Sequence, residues 1–300
     1  MITVTNLTKR YGHTLAVDDI SFTCAPGTVT GFLGPNGAGK STSLRMLTAL
    51  TPPTSGTATV DGRRYRDLPN PGRVVGVMLD AAAAHAGRTG RETLQVAGEV
   101  LGARRGAADD MLERVGLASA AGRRVGQYSL GMRQRLGIAV ALLGDPAALV
   151  LDEPANGLDP EGIRWMRELL QDFSRRGGTV LLSSHLLSEV QATVDRLVVI
   201  GKGKIVAEGD LAELLAGSGI KVRGLDPQGL HAALVAAGLN PTPLPDDAFT
   251  VDATPEQVGR AAAAAGQVLL ELRAADGAGL EDLFFTLTAG TELADDKDVA

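Results

Sequence analysis

Hydrophobic and polar positions near the start of the chain predict strands, turns and one helix. Four short segments predict strands: Ile2–Val4, Ile20–Cys24, Val29–Leu33 and Thr57–Val60. The first two alternate apolar with polar residues, as half-buried strands do. A helix is predicted over Thr42–Leu50, and Pro52-Pro53 ends it.

The spacing of the apolar residues changes in the middle of the chain. Between Ala81 and Leu143, apolar residues recur three and four positions apart, which predicts a helical subdomain. Three short apolar runs follow: Leu149–Leu151, Thr179–Leu182 and Leu197–Ile200. Helices predicted over Gly162–Phe173 and Leu187–Val194 separate them. Continuous apolar runs between helices are typical of a parallel sheet that is buried on both faces.

A break at Gly217–Gly219 predicts a second domain over residues 217–290. Its predicted strands are Ile220–Val222, Phe249–Val251 and Val268–Leu272, and its predicted helices are Gln228–Ala237, Pro255–Ala265 and Leu280–Leu287. Asn240–Pro245 is interpreted as a loop. This order predicts a small α+β domain. Residues 291–300 form an acidic tail, which we expect to be disordered.

Composition narrows the class of protein. The 300 residues carry 29 Lys and Arg against 35 Asp and Glu, a net charge of −6, which argues against a nucleic-acid partner. Cys24 is the single cysteine, so no internal disulfide can form. The longest apolar run, Leu136–Leu143, is short of the about 20 residues that a membrane-spanning helix needs. Nothing at the N-terminus suggests a secretory segment.

A phosphate-binding loop lies between the strand Val29–Leu33 and the following helix. The residues that fit G-x-x-x-x-G-K-[ST] are Gly34, Pro35, Asn36, Gly37, Ala38, Gly39, Lys40 and Ser41. Glycines let backbone N–H groups curl around an anion, and the helix N-terminus adds its positive dipole end. Lys40 is predicted to reach the β- and γ-phosphates, and Ser41 to ligate Mg²⁺. The pattern predicts a nucleoside triphosphate site.

A P-loop also needs an acid at the end of a buried strand. Asp152 and Glu153 follow the run Leu149–Leu151. Asp152 is predicted to hold Mg²⁺ through water, and Glu153 to polarise a water for attack on the γ-phosphate.

A third motif lies between the P-loop and that strand. Tyr128–Arg135 reads Tyr-Ser-Leu-Gly-Met-Arg-Gln-Arg and resembles the signature of ATP-binding cassette (ABC) ATPases. Further matches follow in the family's order: Gly157–Asp159 resembles the D-loop, Ser183–His185 contains the switch histidine, and Tyr11 matches the aromatic residue that stacks on adenine. The resemblance covers about Met1–Leu215.

The resemblance implies a fold class: an α/β P-loop NTPase (RecA-like) core with an antiparallel β-subdomain and an inserted helical subdomain. The cassette is expected over residues 1–216, with the helical subdomain at about 81–143 and the small α+β domain after it. The resemblance implies ATP and Mg²⁺ as cofactors. It also implies that Thr42, which follows Ser41, belongs to the nucleotide-binding residues.

The resemblance also implies a second cassette, in the simplest case another copy of this chain. Ser129, which is predicted to cap the helix after it, and Gly131 would contact the γ-phosphate held by the other cassette's P-loop. Asp159 would lie across the interface, and His185 would contact the γ-phosphate and position the water. Hydrolysis would then dissolve the dimer.

The chain departs from the family's usual pattern. Leu130 replaces the signature's first glycine and Met132 its glutamine, so we expect a working but slower site. Asp80 stands where the family has a glutamine. Its carboxylate is a hard oxygen donor that can ligate Mg²⁺, or else the loop is displaced and Asp80 faces solvent. Ala81–Gly90, near which the family docks its membrane partner, is rich in alanine and glycine.

The sequence therefore predicts the ATPase subunit of a transporter whose membrane permease is a separate polypeptide. Such a subunit is expected in the cytoplasm, on the inner face of the cell membrane. The signature, Asp80 and the segment Gly279–Phe285 resemble ATPases that export antibiotics of the daunorubicin and bacitracin types. Two alternatives stay open: an ATP-driven clamp on a partner outside the membrane, such as a ribosome or DNA, and a small-molecule P-loop kinase.

Overall fold

The computed structural model describes residues 1–185 and 192–276, which fold as two compact units. The first unit is Met1–Gly209, and the second begins at Asp210, before the boundary predicted at Gly217. The described part of the chain contains no helix that is long and apolar enough to cross a bilayer.

A six-stranded sheet forms the centre of the first unit, in the order β5-β6-β7-β3-β8-β9. The strands are β3 (Val29–Leu33), β5 (Val75–Met78), β6 (Ala148–Leu151), β7 (Thr179–Ser184), β8 (Arg196–Gly201) and β9 (Lys204–Asp210). The first five pair in parallel, and β3, β6 and β7 are buried throughout. The predicted parallel sheet, buried on both faces, is confirmed.

Strand β9 is absent from the sequence prediction. It follows β8 after the two-residue turn Lys202-Gly203, in which both residues have positive φ, as in tight hairpins. Its alternating burial is that of a strand with one covered face.

A three-stranded antiparallel sheet lies in the same unit, in the order β2-β1-β4. Its strands are β1 (Ile2–Tyr11), β2 (Thr14–Cys24) and β4 (Ser55–Val60). The first two are longer than predicted, because Asn6 and Asp19 adopt positive φ and the register shifts along β1. Such bulges interrupt the alternation from which strands are predicted. Phe22 stacks on Phe32 at 5.3 Å between ring centroids and joins this sheet to the central one.

Helix α1 (Lys40–Leu47) begins directly after the P-loop. The prediction extended it to Leu50, which is wrong, because Ala49 adopts a φ of 58° and the chain leaves the helix. The Leu50 amide donates back to the Arg45 carbonyl at 2.9 Å, as in a Schellman-type helix end.

The predicted helical subdomain contains α2 (Gly90–Leu101), α3 (Ala107–Arg114) and α4 (Leu130–Leu142). A capping box starts α2: Thr89 accepts from the Glu92 amide, and Glu92 accepts from the Thr89 amide. Leu94, Leu112 and Leu136, one from each helix, meet in a buried cluster. The next helix, α5 (Pro160–Arg175), contains the predicted Gly162–Phe173. The helix predicted over Leu187–Val194 lies mostly outside the described residues, and residues 192–194 are not helical.

The second unit has the order β-α-β-β-α-β. It contains α6 (Leu211–Leu215), β10 (Ala216–Gly224), α7 (Pro227–Ala236), β11 (Pro241–Leu244), β12 (Ala248–Val251), α8 (Pro255–Ala264) and β13 (Leu269–Asp276). After α6, its strands form an antiparallel sheet in the order β11-β12-β10-β13, which is the ferredoxin-like topology. Leu230, Leu234 and Val258 of the helices pack against Ile220 and Val222.

One prediction in the second unit is wrong. Asn240–Pro245 was interpreted as a loop, but Pro241–Leu244 pairs with β12 as an edge strand. Edge strands tolerate proline because one side of them has no hydrogen-bonding neighbour. The helix predicted over Leu280–Leu287, with the motif Gly279–Phe285, and the acidic tail 291–300 lie outside the described residues.

Candidate nucleotide site

The P-loop runs through a narrow space where side chains do not fit. A Cβ on Gly34 would lie 2.4 Å from the Ile200 carbonyl oxygen, and one on Gly39 would lie 2.6 Å from that of Ala16. Gly39 also has a φ of 108° and caps α1 without a side chain. The first amides of α1 are therefore available to an anion. Pro35, Asn36, Gly37 and Ala38 form the curve of the loop between these two glycines, and Ser41 and Thr42 lie in the first turn of α1.

Lys40 lies under this loop with 6% of its surface exposed. Its Nζ donates to the carbonyl oxygens of Gly34 at 2.6 Å and Pro35 at 3.2 Å, and it lies 3.9 Å from Glu153 Oε1. Burial lowers the pKa of the Lys40 ammonium, and the charges of Glu153 and Asp152 act in the opposite direction. Burial therefore disfavours the charged form that a phosphate would bind.

Asp152 and Glu153 follow β6, as predicted, and a neighbouring strand holds both. Because Leu151 pairs with Leu182, the next residue of β7, Ser183, lies beside them. The Ser183 hydroxyl donates to Asp152 Oδ1 and accepts from the Glu153 amide at 3.0 Å. Ser183 belongs to the switch motif, but its role could not be predicted from the sequence. The alignment of β7 with β6 is the signal that would have found it.

Glu153 has a backbone conformation that is unusual for a residue with a side chain, with a φ of 49°. Its carbonyl accepts from Gln134 Nε2 at 3.2 Å and from the Asn156 amide at 3.2 Å, while Ser183 fixes its N–H group. Hydrogen bonds on both sides of the residue therefore hold this conformation.

His185 lies at the carboxylate of Glu153. Its Nδ1 is 2.7 Å from Glu153 Oε2, and the two side chains are 41% and 26% exposed. Because an ionised carboxylate only accepts hydrogen bonds, Nδ1 is the donor in this contact. The structure thus brings together Lys40, Glu153 and His185, the three residues predicted to be catalytic.

The signature lies at the N-terminus of α4. Ser129 is exposed and its hydroxyl accepts from the Met132 amide at 3.2 Å, so the predicted cap is confirmed. Gly131 lies against the D-loop, since a Cβ there would be 2.9 Å from the Gly157 carbonyl oxygen. Asp159 is exposed and caps α5, where its Oδ1 accepts from the Gly162 amide at 2.7 Å. Signature and D-loop therefore form one surface.

Two predicted ligand-binding residues lie apart from these contacts. Tyr11 is 50% exposed, with the Lys9 ammonium 4.8 Å from its ring centroid. Asp80 is exposed, and its Oδ1 accepts from the Ala82 amide at 2.7 Å within its own loop. In the described ranges, 1–185 and 192–276, no cluster of three or more His, Cys, Asp or Glu is placed to hold a metal. Ser41 and Asp152 are oxygen donors of the kind that Mg²⁺ takes.

A largely apolar groove of about 810 Å³ lies beside Asp80 and is lined by parts of β5, α2 and α4. Met78, Val96, Val100, Leu136 and Val140 are among its lining residues. Val100 is an exposed part of this apolar lining, with 76% of its surface accessible. We call this feature the helical groove.

Comparison with known proteins identifies the family. The sequence profile of the ABC transporter family matches residues 17–156. The bacitracin transport ATP-binding protein of Bacillus licheniformis is 42% identical over 211 residues, which cover 69% of each chain. The chain belongs to the ABC transporter family. It is an ABC ATPase, and it binds and hydrolyses ATP.

Two further comparisons extend the similarity. The Nod factor export ATP-binding protein I of Burkholderia lata is 37% identical over 300 residues and covers 97% of both chains. A dimeric bacterial ABC transporter cassette has a TM-score of 0.63 at 25% identity, covering 70% of this chain and 99% of that one. A family described only as a domain of unknown function matches residues 218–281, within the second unit.

Proposed function

We propose that this ABC ATPase drives an export transporter, and that its catalytic group is the cluster Lys40, Glu153 and His185. The contact between Glu153 and His185 carries the proposal, because it places a carboxylate and an imidazole together beside the P-loop lysine. Glu153 accepts the proton of the attacking water, and His185 orients that water and the γ-phosphate. Lys40 exchanges its loop carbonyls for phosphate oxygens when ATP binds.

Magnesium is part of the proposal. Ser41 provides a hydroxyl and Asp152 a carboxylate, which are hard oxygen donors, and Ser183 orients the carboxylate. Asp80 is proposed as a further oxygen donor once its bond to the Ala82 amide opens. Mg²⁺, when bound, neutralises charge on the β- and γ-phosphates.

The signature points to a head-to-tail dimer. One chain holds one P-loop and one signature, and Gly131 of that signature lies against the D-loop of the same chain. Ser129 and Gly131 therefore complete the site of a second cassette, to which Asp159 also contributes. The dimeric cassette among the similar structures supports a dimer of this chain.

The helical groove is proposed to receive the membrane permease. Its apolar lining and the exposed Val100 fit an amphipathic helix from a partner, since exposed apolar patches of this kind mark interaction sites. The subunit would then lie on the cytoplasmic face of the membrane. The names of the bacitracin transport and Nod factor export proteins support export, with an antibiotic as the proposed cargo.

The Glu153→Gln variant tests the proposal. An amide cannot take the proton from water, so we expect MgATP to bind, turnover to fall by about 10²–10⁴-fold and a stable dimer to form. Size-exclusion chromatography with and without MgATP measures the dimer, and Lys40→Ala, which loses the phosphate contact, should stay monomeric in both. Wild-type turnover by Glu153→Gln would refute the assigned base.

A further inference from the structure

Gln134 connects the helix of the signature to the backbone of the catalytic base. It lies on α4, which Ser129 caps, and only 4% of its surface is exposed. Its Nε2 donates to the Glu153 carbonyl at 3.2 Å. Its Oε1 is buried and has no hydrogen-bond partner in the described part of the chain. The donor side of this amide is therefore used and its acceptor side is not.

Gln134 helps to hold the conformation of Glu153. A φ of 49° is unfavourable for glutamate and persists when neighbours fix both peptide groups. Ser183, on the central sheet, fixes the N–H group, and Gln134, on the helical subdomain, helps to fix the carbonyl. A movement of α4 relative to β7 would therefore shift the peptide group that follows Glu153.

Two more contacts join α4 to the segment after Glu153. Leu130 lies on Gly157, and the guanidinium of Arg135 lies 4.3 Å above the Trp165 ring. Helix α4 thus follows the chain from the base through the D-loop into α5. The signature helix therefore contacts this segment at several points rather than at one.

We propose that Gln134 is a positioning residue that couples the two ATP sites of the dimer. The inference depends on the proposed head-to-tail dimer. In that dimer, Ser129 of one chain contacts the nucleotide that the other copy's P-loop holds. Glu153 of the same chain acts on the nucleotide that its own P-loop holds. When α4 of one chain closes on the other copy's nucleotide, Gln134 aligns Glu153, the base for the nucleotide of its own chain. Hydrolysis is then cooperative in ATP.

The test is steady-state hydrolysis by the Gln134→Met variant over a range of MgATP concentrations. Methionine has similar length and removes the unpartnered Oε1, and the Glu153 carbonyl keeps the Asn156 amide, so we expect an unchanged melting temperature. We expect kcat to fall about 10-fold or more, since small misplacements of catalytic groups have large effects. The Hill coefficient should fall toward that of independent sites, with little change in half-saturation.

Gln134→Leu is the second variant, and Gln95→Met is the matched control, because Gln95 is exposed on α2. If the Gln134 variants fold and have the same Hill coefficient as the wild type, the inference is overturned and the proposed function is not affected. A lower melting temperature with unchanged cooperativity, or failure of both variants to fold, shows a structural role and also overturns it. So does a wild-type dimer without cooperativity. A wild type that stays monomeric with MgATP refutes the proposed dimer itself.

Discussion

Leu130 occupies the space that a side chain at Gly157 would need. A Cβ on Gly157 would come within 2.3 Å of Leu130 Cδ2, and Gly157 has a φ of 77°. Leu130 replaces the first glycine of the usual signature, so the bulk added in one motif is accommodated by a glycine in another. Signature and D-loop in this chain fit each other as a pair.

The pair can be tested by Gly157→Ala. We expect a loss of unfolding free energy of about 1–2 kcal/mol from the left-handed conformation alone, with a further loss from the contact with Leu130. Adding Leu130→Ala should recover most of the second part, since it removes Cγ and Cδ2 and keeps only Cβ, with a coupling of about 0.5–3 kcal/mol in the double-mutant cycle. Urea unfolding measures all four proteins. Gly122→Ala is the control, because a Cβ there meets nothing within 4 Å. Strictly additive changes would contradict the contact.

The local motifs could be predicted from the sequence because each is a short run between recognisable elements. The P-loop, the acids after β6 and the cap at Ser129 are of this kind. The roles of Ser183 and Gln134 could not be predicted, because each depends on which residue of a distant element faces Glu153. Strand alignment and helix rotation decide that, and neither is visible in the spacing of apolar residues.

Departures from local rules explain the errors in the fold. Positive φ at Asn6 and Ala49 broke a strand pattern and ended a helix early. The prolines of Pro241–Leu244 concealed an edge strand, because proline is typical of loops as well as of sheet edges.

Lys40→Met should change the pH dependence of stability. Burial lowers the pKa of Lys40 in the folded chain, whereas in the unfolded chain it is about 10.4. At a pH between these two values, the unfolded chain binds more protons than the folded chain. The unfolding free energy of the wild type, minus that of Lys40→Met, should therefore rise with pH in this window and stay flat below it. Chemical denaturation from pH 7 to 10.5 measures the difference. A fall with rising pH would contradict the direction.

The same variant should lose its response to nucleotide. Saturating MgATP at 100 times its dissociation constant stabilises a binding-competent chain by about 2.7 kcal/mol. The melting temperature of the wild type should rise accordingly, and that of Lys40→Met should not. An equal rise in both proteins would exclude Lys40 from phosphate binding.

Asp80→Asn tests the proposed third oxygen donor. Asparagine keeps an acceptor for the Ala82 amide and removes the negative charge, so the loop should hold. If Asp80 supports the metal, the Mg²⁺ concentration for half-maximal ATPase activity should rise by about 10-fold. The exposed Asp67→Asn is the charge-matched control. An unchanged Mg²⁺ dependence would contradict the role of Asp80 as a metal ligand, and Ser41 and Asp152 would remain the proposed ligands.

Val100→Asp tests the helical groove. Val100 is 76% exposed, so a charge there should alter stability by no more than about 0.5 kcal/mol and leave ATP hydrolysis by the isolated subunit unchanged. Docking of an apolar helix would leave the new carboxylate buried and unpaired, which is strongly unfavourable. The variant, expressed in the cells it comes from, should therefore fail to co-purify with their membrane fraction. Val235→Asp, at an exposed valine of the second unit, should co-purify normally. Equal recovery of both variants would place the permease elsewhere on the subunit.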